Sequence, residues 1–282
     1  MQPRFVDLHT HTTASDGTDT PRGLIRKAAE AGLAAVAVTD HDTISGLDEA
    51  EAAGRDFGVK VIRGCELGVQ GQYGEIHLLG LWLPRDCAPL ESALARLRTL
   101  REERNRGMLD KLRGLGIDVS YDEVLEEAKG ESVGRPHIAR VLQKRGIVST
   151  FAQAFELYLG YYGAAYVPRA LPSPEEGVRL LAGPGVVVSF AHPMLIRCPA
   201  AWFDEIVPRL KEAGLGAIEA YHSEHSSRDE RFCVDLAARY GLGVSGGSDY
   251  HGTAKPGVRL GRGKGGLRVT AALLDALKAR RA

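Results

Sequence analysis

No stretch of the 282 residues approaches the ~20 apolar residues of a membrane span. The longest apolar runs, such as VVVSFA at 186–191, are only strand-length. The N-terminal MQPRFVDLHTHT lacks the basic start and apolar run of a secretion signal. Cysteine is scarce: Cys65, Cys87, Cys198 and Cys233 are scattered without CxxC spacing, the pattern of reduced thiols in a cytoplasmic protein. Neither sign of charge is in excess, with 36 Lys plus Arg against 36 Asp plus Glu. That balance excludes a general polyanion binder and makes any phosphate recognition local. Internal repeats and low-complexity tracts are missing too. The expected protein is soluble and cytoplasmic, with no membrane or protein partner.

What is present is a globular composition, 44% hydrophobic and 26% charged, in a chain long enough for a substantial core. Strand-like and helix-like segments alternate from the start. FVDLHTH (5–11) reads as a strand, and TPRGLIRKAAEAG (20–32) as a helix with Thr20 capping and Pro21 at its first position. AAVAVTDH (34–41) is a buried strand, followed by the helical GLDEAEAAGRDFG. KVIRGCELGV (60–69) and GEIHLLGLWL (74–83) read as a hairpin. Residues 85–165 read as helices only, and from about 173 the alternation resumes to the helical VTAALLDALKARRA. This predicts an α/β fold with about seven largely parallel strands. Because no glycine-rich phosphate loop follows the first strand, an α/β barrel split by a helical insertion fits better than an open sheet. Residues 1–84 and 166–282 would form the barrel, with 85–165 a helical insertion. The run GVRLGRGKGGLR (257–268) reads as a flexible loop whose charges, with Lys255, are solvated.

The histidines carry the functional signal. Of nine, His9, His11, His41, His77, His192, His222 and His251 fall in or just after strand-like segments. Barrel enzymes assemble their sites at strand C-terminal ends. Residues at i, i+2 and i+4 of a strand share a face, so Asp7, His9 and His11 are expected to point together, as are Asp249 and His251. With Asp16 from HTTASDG, His41 from TDHD, Glu66 from GCE, His77 from GEIH and His192 from AHP, the set is six imidazoles (His9, His11, His41, His77, His192, His251) and three carboxylates (Asp16, Glu66, Asp249). Neutral imidazole with carboxylate is a ligand set for zinc, manganese or iron rather than calcium. A lone buried histidine is more often a satisfied core residue than a ligand, and Asp40 or Asp42 has the plain reading of a helix cap. Nine such groups gathered without a metal would be costly in desolvation and repulsion.

The segments DLHTHTTASDGT (7–18), VTDHDT (38–43), GCE (64–66), EIHLLG (75–80), FAHP (190–193) and GGSDYHG (246–252) resemble, in order, the motifs of the PHP (polymerase and histidinol phosphatase) superfamily. RPHIAR (135–140) and AIEAYHSEH (217–225) resemble its small phosphoesterases of nucleoside phosphates and short RNA. The resemblance implies a distorted seven-stranded barrel holding three divalent ions (manganese, zinc or iron). His9, His11, Glu66 and Asp249 would hold one. Glu66 would bridge to a second with His77 and His192, and Asp16, His41 and His251 would hold the third.

Three such ions leave a formal excess of about three positive charges over the carboxylates, a trap for a phosphate dianion. The implied reaction is phosphoester hydrolysis by a metal-activated hydroxide. The implied substrate is a nucleotide such as AMP, a nucleoside 3′,5′-bisphosphate or the 5′ end of a short RNA. Arg135 and His137 would clamp an anionic group, with His225 or His222 near the leaving oxygen, although RPHIAR also reads as a plain helix start. Asp7 and Asp42 are read as orienting histidines. Alternatives are a phosphatase of histidinol phosphate or phosphotyrosine, a C–N hydrolase of amidohydrolase type, and a non-catalytic metal-binding module. The TASDG and TDHD motifs and the spacing of Glu66 and His77 weigh against the C–N hydrolase, and the intact ligand set against the module.

Overall fold

Local sequence signals set the element boundaries. In the computed structural model, which describes residues 4–281, Thr20 accepts the Gly23 N–H and Pro21 opens helix α1 (Pro21–Glu30). Helix α2 (Leu47–Phe57) stops at Gly58, whose φ of 71° is one that glycine adopts without strain. Reciprocal Ser–Glu or Ser–Asp capping boxes start α4 (Tyr121–Glu127), α7 (Pro174–Leu181) and α9 (Ser227–Arg239). Met1–Pro3 and Ala282, at the ends of the expected barrel and of its last helix, lie outside the described residues.

Seven strands lie in chain order: β1 (Val6–Asp7), β2 (Ala35–Val38), β3 (Lys60–Gly71), β4 (Gly74–Leu81), β5 (Val187–Ala191), β6 (Leu215–His222) and β7 (Gly243–Gly247). Four neighbouring pairs are parallel. The β3–β4 hairpin is antiparallel as expected, and so is β4 against β5. The first and last strands approach each other through Leu8 N to Gly246 O (3.3 Å) and Asp249 N to His9 O (2.9 Å), which nearly closes the barrel. Gly247 permits this approach, since a Cβ there would lie 2.3 Å from the His9 nitrogen.

Val6, Leu8, Ala35, Ala37, Leu79 and Leu81 share one apolar cluster with Leu274 and Leu277 of α10 (Ala271–Lys278). Val36 and Val38 pack instead with Leu24, Ile25 and Leu47 of α1 and α2. Each fully buried aliphatic side chain contributes about 1.5–3 kcal/mol.

The segment between β4 and β5 is helical: α3 (Ala88–Gly114), α4, α5 (Arg135–Lys144) and α6 (Phe151–Ala154), the last running into a π-helical turn at Phe155–Leu159. Two cores meet along α3. Leu90, Leu94 and Leu97 pack with Leu67, Leu78 and Leu181, whereas Met108, Leu109 and Leu112 pack with Ile138, Leu142 and Leu159. Helix α8 (Ala201–Ala213) completes the set. Among the described residues, no helix is long and apolar enough to cross a membrane.

Three details differ from the sequence reading. Regular β structure stops at Asp7 and at Gly247, so FVDLHTH and GVSGGSDYH continue past their strands as irregular chain. Residues 257–268 form a series of turns closed by the Arg259–Gly263 bridge, and Gly261 N donates to Asp7. Lys255, expected in solvent, donates to the Asp249 carboxylate.

Candidate metal centre

The site grows from chain segments that leave the sheet at one end of the barrel. His77 reaches that end from near the start of β4, because β4 runs opposite to its neighbours. Glu66 on β3 lies at the centre. Its Oε2 is 3.3, 3.1 and 3.0 Å from His9 Nε2, His11 Nε2 and His41 Nδ1. Its Oε1 is 2.8 Å from His77 Nδ1 and 3.0 Å from His192 Nε2. Asp249 Oδ1 lies 3.6 Å from His9 and 3.4 Å from His11. Asp16 lies 3.2 Å from His251 Nε2 and 3.9 Å from both His41 and His11. All nine sequence-predicted ligands are therefore brought together.

Their donor atoms form overlapping groups: His11, Asp16, His41 and His251; His9, His11 and Asp249; His41, Glu66 and His77; His9, Glu66 and His192. His9 Nε2, both ring nitrogens of His11 and Glu66 Oε2 are buried with no hydrogen-bond partner. Unsatisfied groups of this kind cost about 1–3 kcal/mol each, a cost that divalent cations at these positions would remove. The donor set fits divalent metal binding.

Backbone strain concentrates here. Of the four non-glycine residues with positive φ among the described residues, three (Asp42, His192 and Asp249, at 53°, 29° and 55°) lie at or beside the cluster. The turn at Asp249, not strand alternation, brings His251 back so that its Nδ1–H donates to the Asp249 carbonyl at 2.8 Å. That bond leaves the Nε2 lone pair facing Asp16, the tautomer a ligand needs.

The electrostatics are those of a crowded, buried cluster. Burial opposes protonation of His77, but the Glu66 and Glu75 carboxylates push its pKa up to about 10. Burial outweighs the neighbouring carboxylates at His41 and His192, holding them down to about 3 and about 4. Burial alone would raise Glu66, yet the surrounding histidines hold it well below the ordinary carboxylate range.

Asp7 and Asp42 do not orient histidine rings. Regular β alternation ends at Asp7, and its carboxylate accepts from Ser248 N and Oγ and from Gly261 N, at 2.8, 2.6 and 2.7 Å. Asp42 meets the Arg101 and Arg169 guanidiniums, the second at 2.7 Å. Those arginines overcome burial and keep its carboxyl well below the ordinary range. Nor is Asp40 a helix cap. It accepts from Thr12 N, Thr12 Oγ1 and Ser15 Oγ at 2.6–2.7 Å, pinning the loop that carries Asp16.

The expected substrate residues fall into two places. Arg135 opens α5 on the rim, 3.5 Å from Glu75. His137 Nδ1 accepts the Gly134 N–H at 2.9 Å, capping its own helix, and burial lowers its pKa to about 4. His222 Nδ1 accepts the Glu224 N–H, so a neutral His222 carries its proton on Nε2, 3.5 Å from Asp249. His222 also offers a ligand atom within 4.8 Å of those of His9 and Glu219. His225 donates from Nδ1 to Ala220 O at 2.8 Å, and its Nε2 is buried without a partner.

Sequence reasoning missed Glu219, fully buried in β6, which accepts from His9 Nδ1 at 3.1 Å and from the His192 N–H at 2.7 Å. A carboxylate in the middle of an apolar strand (AIEAY) was the available signal. It also missed Arg101, Arg104 and Arg169. Arg104 is buried with its Nε on Asn105 Oδ1, and burial, then Arg101 and Arg135, disfavour its charge.

The profile of the PHP domain matches residues 7–159, more than half of the chain. The chain belongs to the PHP family. It is 33% identical over 245 residues to a 5′-3′ exoribonuclease of Haemophilus influenzae, covering 87% of this chain and 89% of that one. It is 32% identical over 257 residues to a 3′,5′-nucleoside bisphosphate phosphatase of Chromobacterium violaceum, covering 91% and 90%. A putative metal-dependent phosphoesterase from Bifidobacterium adolescentis superposes with a TM-score of 0.88 at 31% identity, covering 100% of this chain and 98% of that one. This PHP protein is a metal-dependent phosphoric ester hydrolase.

Proposed function

We propose that this PHP phosphoesterase hydrolyses phosphate esters of nucleotides: AMP, nucleoside 3′,5′-bisphosphates and the 5′ ends of short RNA. The observation that carries the reading is Glu66, whose two oxygens each face a separate set of imidazoles. A carboxylate so placed suits a bridge between cations. In this reading His9, His11, Glu66 and Asp249 would hold one divalent ion, Glu66, His77 and His192 a second, and Asp16, His41 and His251 a third. Such ions supply positive charge to the phosphate and lower the pKa of water for attack at phosphorus.

The rest of the work falls to the chain. Glu219 fixes the tautomer of His9, and the Asp249 carbonyl that of His251. Arg104, buried with no carboxylate at ion-pair distance among the described residues, carries a charge that an anionic substrate would satisfy. Arg135 on the rim can exchange its pairing with Glu75 for a phosphate oxygen. The neutral His137 has Nε2–H left as a donor once its Nδ1 caps the helix.

Support for a nucleotide substrate comes from relatives named for RNA and for nucleoside bisphosphates. Residues 85–165 are proposed to set specificity as a separate insertion. They clamp the Asp16 loop directly, through Arg140 to Asp16 O at 2.5 Å and Ser132 N to Ala14 O at 3.3 Å. Metal analysis paired with phosphate release from AMP, a nucleoside 3′,5′-bisphosphate, short RNA and histidinol phosphate tests the proposal. Turnover of histidinol phosphate alone would reject it.

A further inference from the structure

Exposed aromatic side chains are not scattered over this molecule. Seven large apolar or aromatic residues are exposed among those described, and four of them, Tyr73, Tyr161, Tyr162 and Leu195, line one groove. The groove has a volume of about 630 Å³. His192 of the histidine cluster, Arg135, Arg197 and Tyr166 also line it.

The aromatic rings are held in place without being covered. Tyr162 is 93% exposed and Tyr161 63%, their centroids 4.9 Å apart and nearly perpendicular. Tyr161 leans on Tyr166 at 5.3 Å, and Tyr73 packs edge-on against Trp202 at 5.6 Å. Open ring faces forgo burial, and a patch of this kind beside a site marks a binding surface. The charge in the groove is cationic, because its acidic member Glu75 is already paired with Arg169 and Arg135.

Aromatic faces with guanidiniums between them match single-stranded nucleic acid. Every base offers a flat face to stack, and every linkage a phosphate to pair. We infer that the groove holds the downstream nucleotides of a short single-stranded RNA whose terminal phosphate lies at the histidine cluster. The inference rests on the nucleotide reading above and adds the path of the chain: bases stack on Tyr161 and Tyr162, and the backbone passes Arg135 and Arg197. An aryl phosphate lacks the downstream bases and linkages that the groove would hold.

The test compares wild-type protein with the double variant Tyr161→Ala/Tyr162→Ala and with Tyr161→Phe/Tyr162→Phe. All are metal-loaded and assayed on a 5′-phosphorylated tetraribonucleotide, a phosphotyrosyl peptide and p-nitrophenyl phosphate. The ratio of KM for the tetranucleotide to KM for the aryl phosphate is expected to rise about tenfold or more in the alanine variant, the loss of one to two stacked bases. It should return to the wild-type value in the phenylalanine variant, which keeps the ring faces. An unchanged ratio with active wild-type protein overturns the groove assignment alone. A wild-type protein that cleaves the aryl phosphate but no oligonucleotide overturns the inference, and only if it also fails on AMP and a nucleoside 3′,5′-bisphosphate does the nucleotide reading fall with it. A shift confined to the phosphopeptide assigns the groove to protein and overturns the inference.

Discussion

Glu219 Oε1 accepts from His9 Nδ1 at 3.1 Å while its Oε2 accepts the His192 backbone N–H at 2.7 Å. One buried carboxylate thus sets the tautomer of one candidate ligand and the strained backbone of another. Glutamine in its place has a single acceptor oxygen and must turn an NH2 group toward one of the two donors. Glu219→Gln is therefore expected to weaken metal binding about 10- to 100-fold. Titrating metal-stripped protein with manganese and measuring bound metal checks this, and an unchanged affinity would contradict it.

Asp42 is the sole carboxylate at ion-pair distance from Arg101 among the described residues, and it also takes Arg169. All three groups are largely buried. Asp42→Asn leaves Arg101 without a counter-charge and Arg169 with Glu75 alone, and is expected to destabilise the fold by about 3–5 kcal/mol. Denaturant unfolding measures the loss. Adding Arg101→Met should recover part of it, since the second change removes the stranded charge.

The unpartnered donors of His9, His11 and Glu66 make the apo site expensive to keep folded. Metal in excess by about a hundredfold over its Kd should add about 2.7 kcal/mol of stability for each site filled. A melting temperature that falls on chelation and climbs again with added manganese is the expected result. A melting temperature indifferent to metal would mean the cluster is no metal site.

Arg135 sits at the rim in a partly exposed pair with Glu75, worth less than about 1 kcal/mol to the fold. A charged hydrogen bond to substrate is worth more. Arg135→Ala should raise the KM for a nucleoside bisphosphate by roughly ten- to a hundredfold with little change in Tm. Lysine should restore only part of the loss, lacking the planar fork. An unaltered KM removes Arg135 from the binding surface.

Much of this was legible in the sequence, for identifiable reasons. The start of α1 was readable because the Thr20 side chain caps its own backbone. The nine-residue cluster was readable because histidine at strand ends is chemically conspicuous. Period-two alternation failed at Asp7 because extended backbone ends there, and no local residue announces that ending. Glu219, Arg101 and Arg169 were silent for a different reason. Their roles depend on partners far along the chain, such as His9 for Glu219 and Asp42 for the two arginines, and spacing within one segment cannot reveal them.

The most direct measurement is phosphate release from a nucleoside 3′,5′-bisphosphate at graded manganese, by wild-type protein and by Glu66→Ala. The account predicts turnover that needs metal in the wild type and is lost in the variant at every metal concentration. Equal turnover by the two proteins, or metal-loaded wild type that releases no phosphate from any nucleotide, would contradict it.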